Sequence, residues 1–232
     1  MKTLSILIPC YNEQDTVAEL LDRVLKVELP GWGKEVVVVD DCSRDSTRSI
    51  LKNYEDRVHV IYRERNGGKG TAVRQGLELA RGEYALIQDA DLEYDPADIP
   101  ALLAKVDDGS GEVVFGSRNL GPERRRSGLI SYLGAGLITL EMNLLYGLSL
   151  TDVWTCYKLF PREAAPDFTA GRFESELLFT AALARRGYRF AEAPISYYPR
   201  DIAHGKKIRN SDGIKAIVAV AADWLRRGRH AK

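Results

Sequence analysis

Residues 84–91 read YALIQDAD. Residues 84–88 suit a short buried strand, and the run ends in two carboxylates spaced i, i+2. In extended backbone Asp89 and Asp91 would point to the same side. Two carboxylates aimed together repel unless a cation lies between them. Hard oxygen donors suit Mg²⁺ or Mn²⁺, with substrate phosphates completing the shell. The competing reading is a capped turn that holds no ligand.

The same grammar extends back to the N-terminus. Residues 4–9, 35–39 (EVVVV) and 58–62 are apolar or β-branched runs that read as strands. The continuous run in the second suits a central parallel strand buried on both faces. Between them lie helical patterns at 16–27, 43–54 and 69–80. In the first, Val17, Leu20, Leu21, Val24 and Leu25 share a face; in the second, Asp45 or Ser46 is placed to cap. Alternating strands and helices predict right-handed βαβ units and a mostly parallel sheet. Farther on, 113–116 and 195–198 read as strands, and 129–150, 173–186 and 212–225 as helices.

Ligands of such sheets bind beyond the carboxyl ends of the strands. The segments there are Cys10-Tyr11-Asn12-Glu13, Asp40-Asp41-Cys42-Ser43, Arg65-Asn66-Gly67-Gly68-Lys69-Gly70 and Asp89-Ala90-Asp91. Three of the four carry carboxylates. A carboxylate after the second strand suits a ribose or base edge. The G-x-G-x-x-G dinucleotide fingerprint is missing after the first strand, and Gly67–Gly70 does not make a P-loop.

Composition excludes other classes. Hydrophobic residues make up 45% and charged residues 28% of 232, which rules out disordered, collagenous and coiled-coil chains. Lys and Arg number 33, as do Asp and Glu, so no overall field gathers nucleic acid. The balance is local: nine Lys/Arg face three Asp between Arg200 and Lys232. That excess suits phosphate or an anionic surface, or else a solvated helix end. Cys10, Cys42 and Cys156 lie too far apart for a zinc motif and are odd in number, which points to free thiols. The opening apolar run is short for a signal peptide, and no run reaches the length of a spanning helix. A cytoplasmic protein is therefore expected.

SILIPCYNE (5–13), VVVVDDCSRDST (36–47), RNGGKGTAVRQGL (65–77) and QDADLEYDP (88–96) together resemble the family 2 glycosyltransferases of the GT-A fold. FGSR (115–118), TDVWTCYKLF (151–160) and PISYYPR with GKKI (194–208) resemble the dolichyl-phosphate mannose synthase group and its bacterial polyprenyl-phosphate relatives. The resemblance implies an α/β, Rossmann-like GT-A domain over 1–232 with C-terminal helical elaborations. Residues 1–118 would be the nucleotide-sugar half and 119–232 the acceptor half. It implies that Pro9, Tyr11 and Glu13 hold the nucleotide and that Val39 and Asp41 touch base and ribose. Asp89, Ala90 and Asp91 would bind the donor, with Asp89 and Asp91 on Mg²⁺ or Mn²⁺ and Glu93 as a third metal ligand. Arg118 and Arg200 would meet the reacting phosphates, joined by Lys206 or Lys207 on a loop that closes over the donor. Asp91, Arg118 and Arg200 would carry the catalysis.

The implied activity is metal-dependent, inverting hexosyl transfer from a GDP-mannose or UDP-glucose type donor to polyprenyl or dolichyl phosphate. A phosphate nucleophile is already anionic and needs no base; Arg118, with Arg126 and Ser131 as looser matches, would guide it. A soluble hydroxyl acceptor would need a carboxylate base, for which Asp152 and Glu176 are the candidates. A catalytically idle nucleotide-sugar-binding subunit is the third reading. The stripe Leu129, Ile130, Leu133, Leu137, Leu140, Leu144, Leu148 reads either as core or as a helix lying in a membrane interface. Arg124–Arg126 before it suit anionic headgroups. Peripheral attachment to the inner face of a membrane, with or without an anchoring subunit, is the expected location.

Overall fold

The computed structural model describes residues 1–121, 129–171, 174–200 and 210–227. Expectations for Arg124–Arg126, Lys206, Lys207 and the side chain of Ser131 lie outside what it describes. Seven strands form one sheet: β1 (Lys2–Cys10), β2 (Trp32–Asp40), β3 (His59–Tyr62), β4 (Tyr84–Ile87), β5 (Val113–Ser117), β6 (Lys158–Pro161) and β7 (Phe190–Pro194). Their order is β3-β2-β1-β4-β6-β5-β7. All neighbours are parallel except β6, which runs antiparallel to both β4 and β5. The expected α/β, mostly parallel GT-A architecture is what the chain adopts.

Both faces of the sheet are covered, which is why its strands read as continuous apolar runs. Leu4, Ile6 and Ile8 of β1 face one core with Leu20, Leu21 and Val24 of α1 (Val17–Lys26) and Leu102 and Leu103 of α4 (Ile99–Asp107). Leu7, Val37 and Val39 face the other core. There they meet Val73 and Leu77 of α3 (Lys69–Leu79), Met142 of α5 (Leu129–Tyr146), Phe179 of α6 (Glu174–Arg185) and Val220 of α7 (Asn210–Arg227).

Four readings are corrected. The helix expected over 43–54 is only α2 (Thr47–Leu51) followed by a 3₁₀ turn. Residues 43–46 instead tie down the β1–α1 loop, with Asn12 N donating to Ser43 Oγ and Arg44 N to Asn12 Oδ1. The seventh strand is 190–194, not 195–198; Glu192 within it made the run look polar, yet its carboxylate accepts the Thr151 and Asp152 N–H groups. Helix α4 and strand β6 had no place in the sequence reading. Of the two readings of the leucine stripe, core does not hold for Leu133, Leu137, Leu140 and Leu144, which are exposed, Leu144 by 70%, whereas Leu148 packs against the second core. The stripe's neighbours Ile138, Met142 and Tyr146 are the residues that pack inward.

Candidate active site

The sheet order reverses beside β1, so a crevice opens between the carboxyl ends of β1 and β4, the usual ligand position in such folds. Glu13 comes from one side and Asp89–Asp91 from the other. Asn12 (φ 50°), Cys42 (φ 65°) and Leu92 (φ 61°) lie just past β1, β2 and β4 in left-handed backbone that non-glycine residues rarely adopt. Such conformations concentrate at functional sites. Asp89 and Asp91 sit in the turn beyond β4, so strand alternation does not place them. Their convergence comes from that turn, in which Asp91 Oδ1 accepts from Glu93 N at 3.1 Å.

Arg200 closes one side of this crevice. Its guanidinium reaches Glu13 at 3.0 Å and 3.3 Å and Asp91 Oδ2 at 2.8 Å, and its backbone N–H donates to Glu93 Oε1 at 2.9 Å. Glu93 Oε2 accepts from Tyr197 Oη at 3.1 Å. The carboxylate of the expected third metal ligand is therefore turned to the C-terminal arm. Burial first, then the charges of Asp89 and Glu93, push the Asp91 carboxyl up to about 7 against the pull of Arg200. A carboxylate so crowded is short of positive charge, which fits a divalent cation. Among the described residues no three His, Cys, Asp or Glu side chains close a metal shell. Asp89 and Asp91 alone would leave most of a metal's shell to be filled by a diphosphate.

Asp89 belongs to a second, deeper group. Lys69 Nζ lies 2.6 Å from Asp89 Oδ1 and 2.9 Å from Glu176 Oε1, and Lys158 Nζ lies 3.2 Å from Glu176 Oε2. Burial works to raise the Asp89 carboxyl, but Lys69, then a hydrogen bond with Cys156 and the charge of Lys158, outweigh it and hold it below the usual carboxylate range. A small cleft lined by Trp154, Thr155, Cys156, Lys158 and Glu176 opens beside this group.

Arg118, at the end of β5, grips Asp152 with two bonds of 2.7 Å, from Nε and from Nη2. Its guanidinium stacks over Tyr197 at 5.1 Å, which links it through the Tyr197–Glu93 bond to the Arg200 cluster. Asp41 accepts from Gly67 N at 2.9 Å and Gly68 N at 2.8 Å and pairs with Arg63. Its carboxylate thus holds the loop that starts α3. Val39 is buried beneath it, while Pro9 and Tyr11 are partly exposed on the rim. The structure therefore brings Glu13, Asp91, Glu93 and Arg200 together, with Asp89 beside them and Arg118 one aromatic ring away. Lys69 lay in the segment 65–70 that the sequence placed on the ligand side, but without a role; Lys158 escaped, its only signal being an isolated Lys inside an otherwise apolar stretch, YKLF.

The profile of glycosyl transferase family 2 matches residues 5–168, and the chain belongs to that family. It is 30% identical to the low-salt glycan biosynthesis hexosyltransferase Agl6 of Haloferax volcanii over 86% of this chain, and spans 48% of that protein. It is 28% identical to the dolichyl-phosphate beta-glucosyltransferase ALG5A of Trichomonas vaginalis, over 96% of this chain and 72% of that one. The fold matches glucosyl-3-phosphoglycerate synthase from Mycobacterium tuberculosis, solved with Mn²⁺, UDP and phosphoglyceric acid. The TM-score is 0.72 at 19% identity, covering 100% of this chain and 80% of that one. The expectation of a glycosyltransferase is thereby met.

Proposed function

We propose that this glycosyltransferase moves a hexose from a GDP-mannose or UDP-glucose type donor to a polyprenyl phosphate, with Mg²⁺ or Mn²⁺ and inversion at the sugar carbon. One observation favours the phosphate acceptor. Asp152 and Glu176, the candidate bases for a hydroxyl acceptor, are both buried and both occupied by cations. A phosphate oxygen arrives already ionised and needs neither. The similarity to a dolichyl-phosphate glucosyltransferase points the same way.

Pro9, Tyr11 and Glu13 would form the nucleotide wall, with Val39 beneath it. Asp41 would act through the Gly67–Gly68 turn that it fixes. Asp89 and Asp91 would hold the metal, which when bound neutralises charge developing on the departing diphosphate. Arg200 is already at this crevice and would add its charge to the same leaving group, with Lys206 or Lys207 from the loop after it. Asp152 occupies Nε and Nη2 of Arg118, so Nη1 is the end an acceptor phosphate would meet. No helix among the described residues is long and apolar enough to cross a membrane. The exposed leucine stripe of α5 would rest on the bilayer surface that holds the acceptor.

The test is transfer from labelled GDP-mannose, UDP-glucose and their relatives, with Mn²⁺, Mg²⁺ or EDTA. Acceptors are a detergent-dispersed polyprenyl phosphate and a panel of saccharides. A lipid-linked sugar phosphate formed only with metal is expected. Transfer to saccharides alone would move the hydroxyl-acceptor reading to first place, and donor binding without turnover would favour the idle subunit.

A further inference from the structure

Stability alone does not account for the chain of charges Asp89–Lys69–Glu176–Lys158. Buried ion pairs are commonly no better than apolar residues of the same volume. Lys158 is only 2% exposed and Glu176 5%. Lys69 is moreover the first residue of α3, where the helix dipole disfavours a cation. The local backbone is shaped to put it there. Gly68 has φ 84°, and a Cβ on Gly70 would lie 2.5 Å from Ser175 Oγ, so only glycine lets the start of α3 approach α6 this closely. That approach is what brings Lys69 to Glu176.

We propose that Lys69 is a positioning residue for the donor–metal site, acting through Asp89 and itself fixed by Glu176 and Lys158. This rests on the reading that Asp89 and Asp91 bind metal and donor. Lys69 ties down one oxygen of Asp89. Glu176 balances Lys69, and Lys158 balances Glu176, so the four charges sum to zero. The group joins the turn after β4 to α3, α6 and β6. A shift of α6 or β6 is therefore carried to Asp89 through ion pairs.

Neutralising charges in pairs separates positioning from plain support of the fold. Lys69→Met alone leaves an excess negative charge; Lys69→Met with Glu176→Gln restores balance between Asp89 and Lys158. Stability is read by urea unfolding in EDTA. Site integrity is read by electron paramagnetic resonance of free Mn²⁺ titrated into protein with UDP or GDP. The double variant is expected to recover the stability lost in the single one, yet to bind Mn²⁺–nucleotide about tenfold more weakly than wild type or worse. A double variant with wild-type Mn²⁺–nucleotide affinity overturns the proposal, and it carries the test even where the single variant does not fold. Failure of the underlying reading looks different: the wild-type protein itself would bind nucleotide equally well in EDTA and in Mn²⁺.

Discussion

Asp91→Asn should make the metal-free protein more stable at alkaline pH and change little in acid. The Asp91 carboxyl stands at about 7 against an ordinary value of 3.8, raised by burial and then by Asp89 and Glu93. A folded-state value above the unfolded one means that the folded chain keeps a proton which the unfolded chain has lost. This group's contribution to stability therefore falls as pH rises from about 4 to about 7, and is flat on either side. Three units correspond to about 4 kcal/mol as an upper bound. Relaxation and coupling to Asp89 and Arg200 reduce this, and about 2 kcal/mol is the expected size. The assay is urea unfolding of both proteins in EDTA at about pH 3.5 and about pH 8. The variant-minus-wild-type difference should grow by about that amount between the two conditions. Mn²⁺ with nucleotide at the higher pH should then stabilise wild type and not the variant. A difference that stays constant with pH would show that Asp91 ionises freely, and the picture of a crowded carboxylate short of cation would be wrong.

Arg200→Ala should lower kcat by about a hundredfold while changing donor affinity less, because its charge meets the leaving group most strongly in the transition state; steady-state kinetics that show only a raised KM would contradict this. Asp152→Asn breaks the pair that fixes Arg118 and should cost about 3 kcal/mol in urea unfolding. It should also raise the KM for the phosphate acceptor more than that for the donor. On α5 the two faces should separate: Met142→Ala should cost about 2–5 kcal/mol. Leu137→Glu with Leu144→Glu should stay within about 0.5 kcal/mol per site, yet abolish flotation with anionic liposomes. Undiminished flotation of that double variant would remove the stripe from the membrane surface.

The first half of the chain was legible because its signals are local. Strands buried on both faces are written as unbroken apolar runs, α1 and α3 carry their periodicity within a few turns, and Asp89 and Asp91 follow directly on β4. What escaped depends on partners distant in sequence. Lys158 and Glu192 sit within strands and look like surface residues until Glu176 and the Thr151–Asp152 amides meet them. Hydropathy cannot register a charge cancelled across the fold, so β6 was missed and β7 was displaced by one segment. On α5 the leucine periodicity was real but left core and surface open, since a helix with one charged residue in eighteen offers two apolar stripes and only packing chooses between them.

The same contrast shapes the site. Glu13 and Arg200 lie 187 residues apart and meet at 3.0 Å. Motif spacing points to each of them but not to their contact. That contact means the cation expected to assist the leaving group is already seated among the carboxylates that the metal would share. For Arg200 to serve a diphosphate it must relinquish Asp91 as the metal takes over that charge. On the proposed reading, exchanging one cation for another would keep a positive charge beside Asp91 at every stage. The resting position of Arg200 would then be a part of how the site accepts its proposed donor.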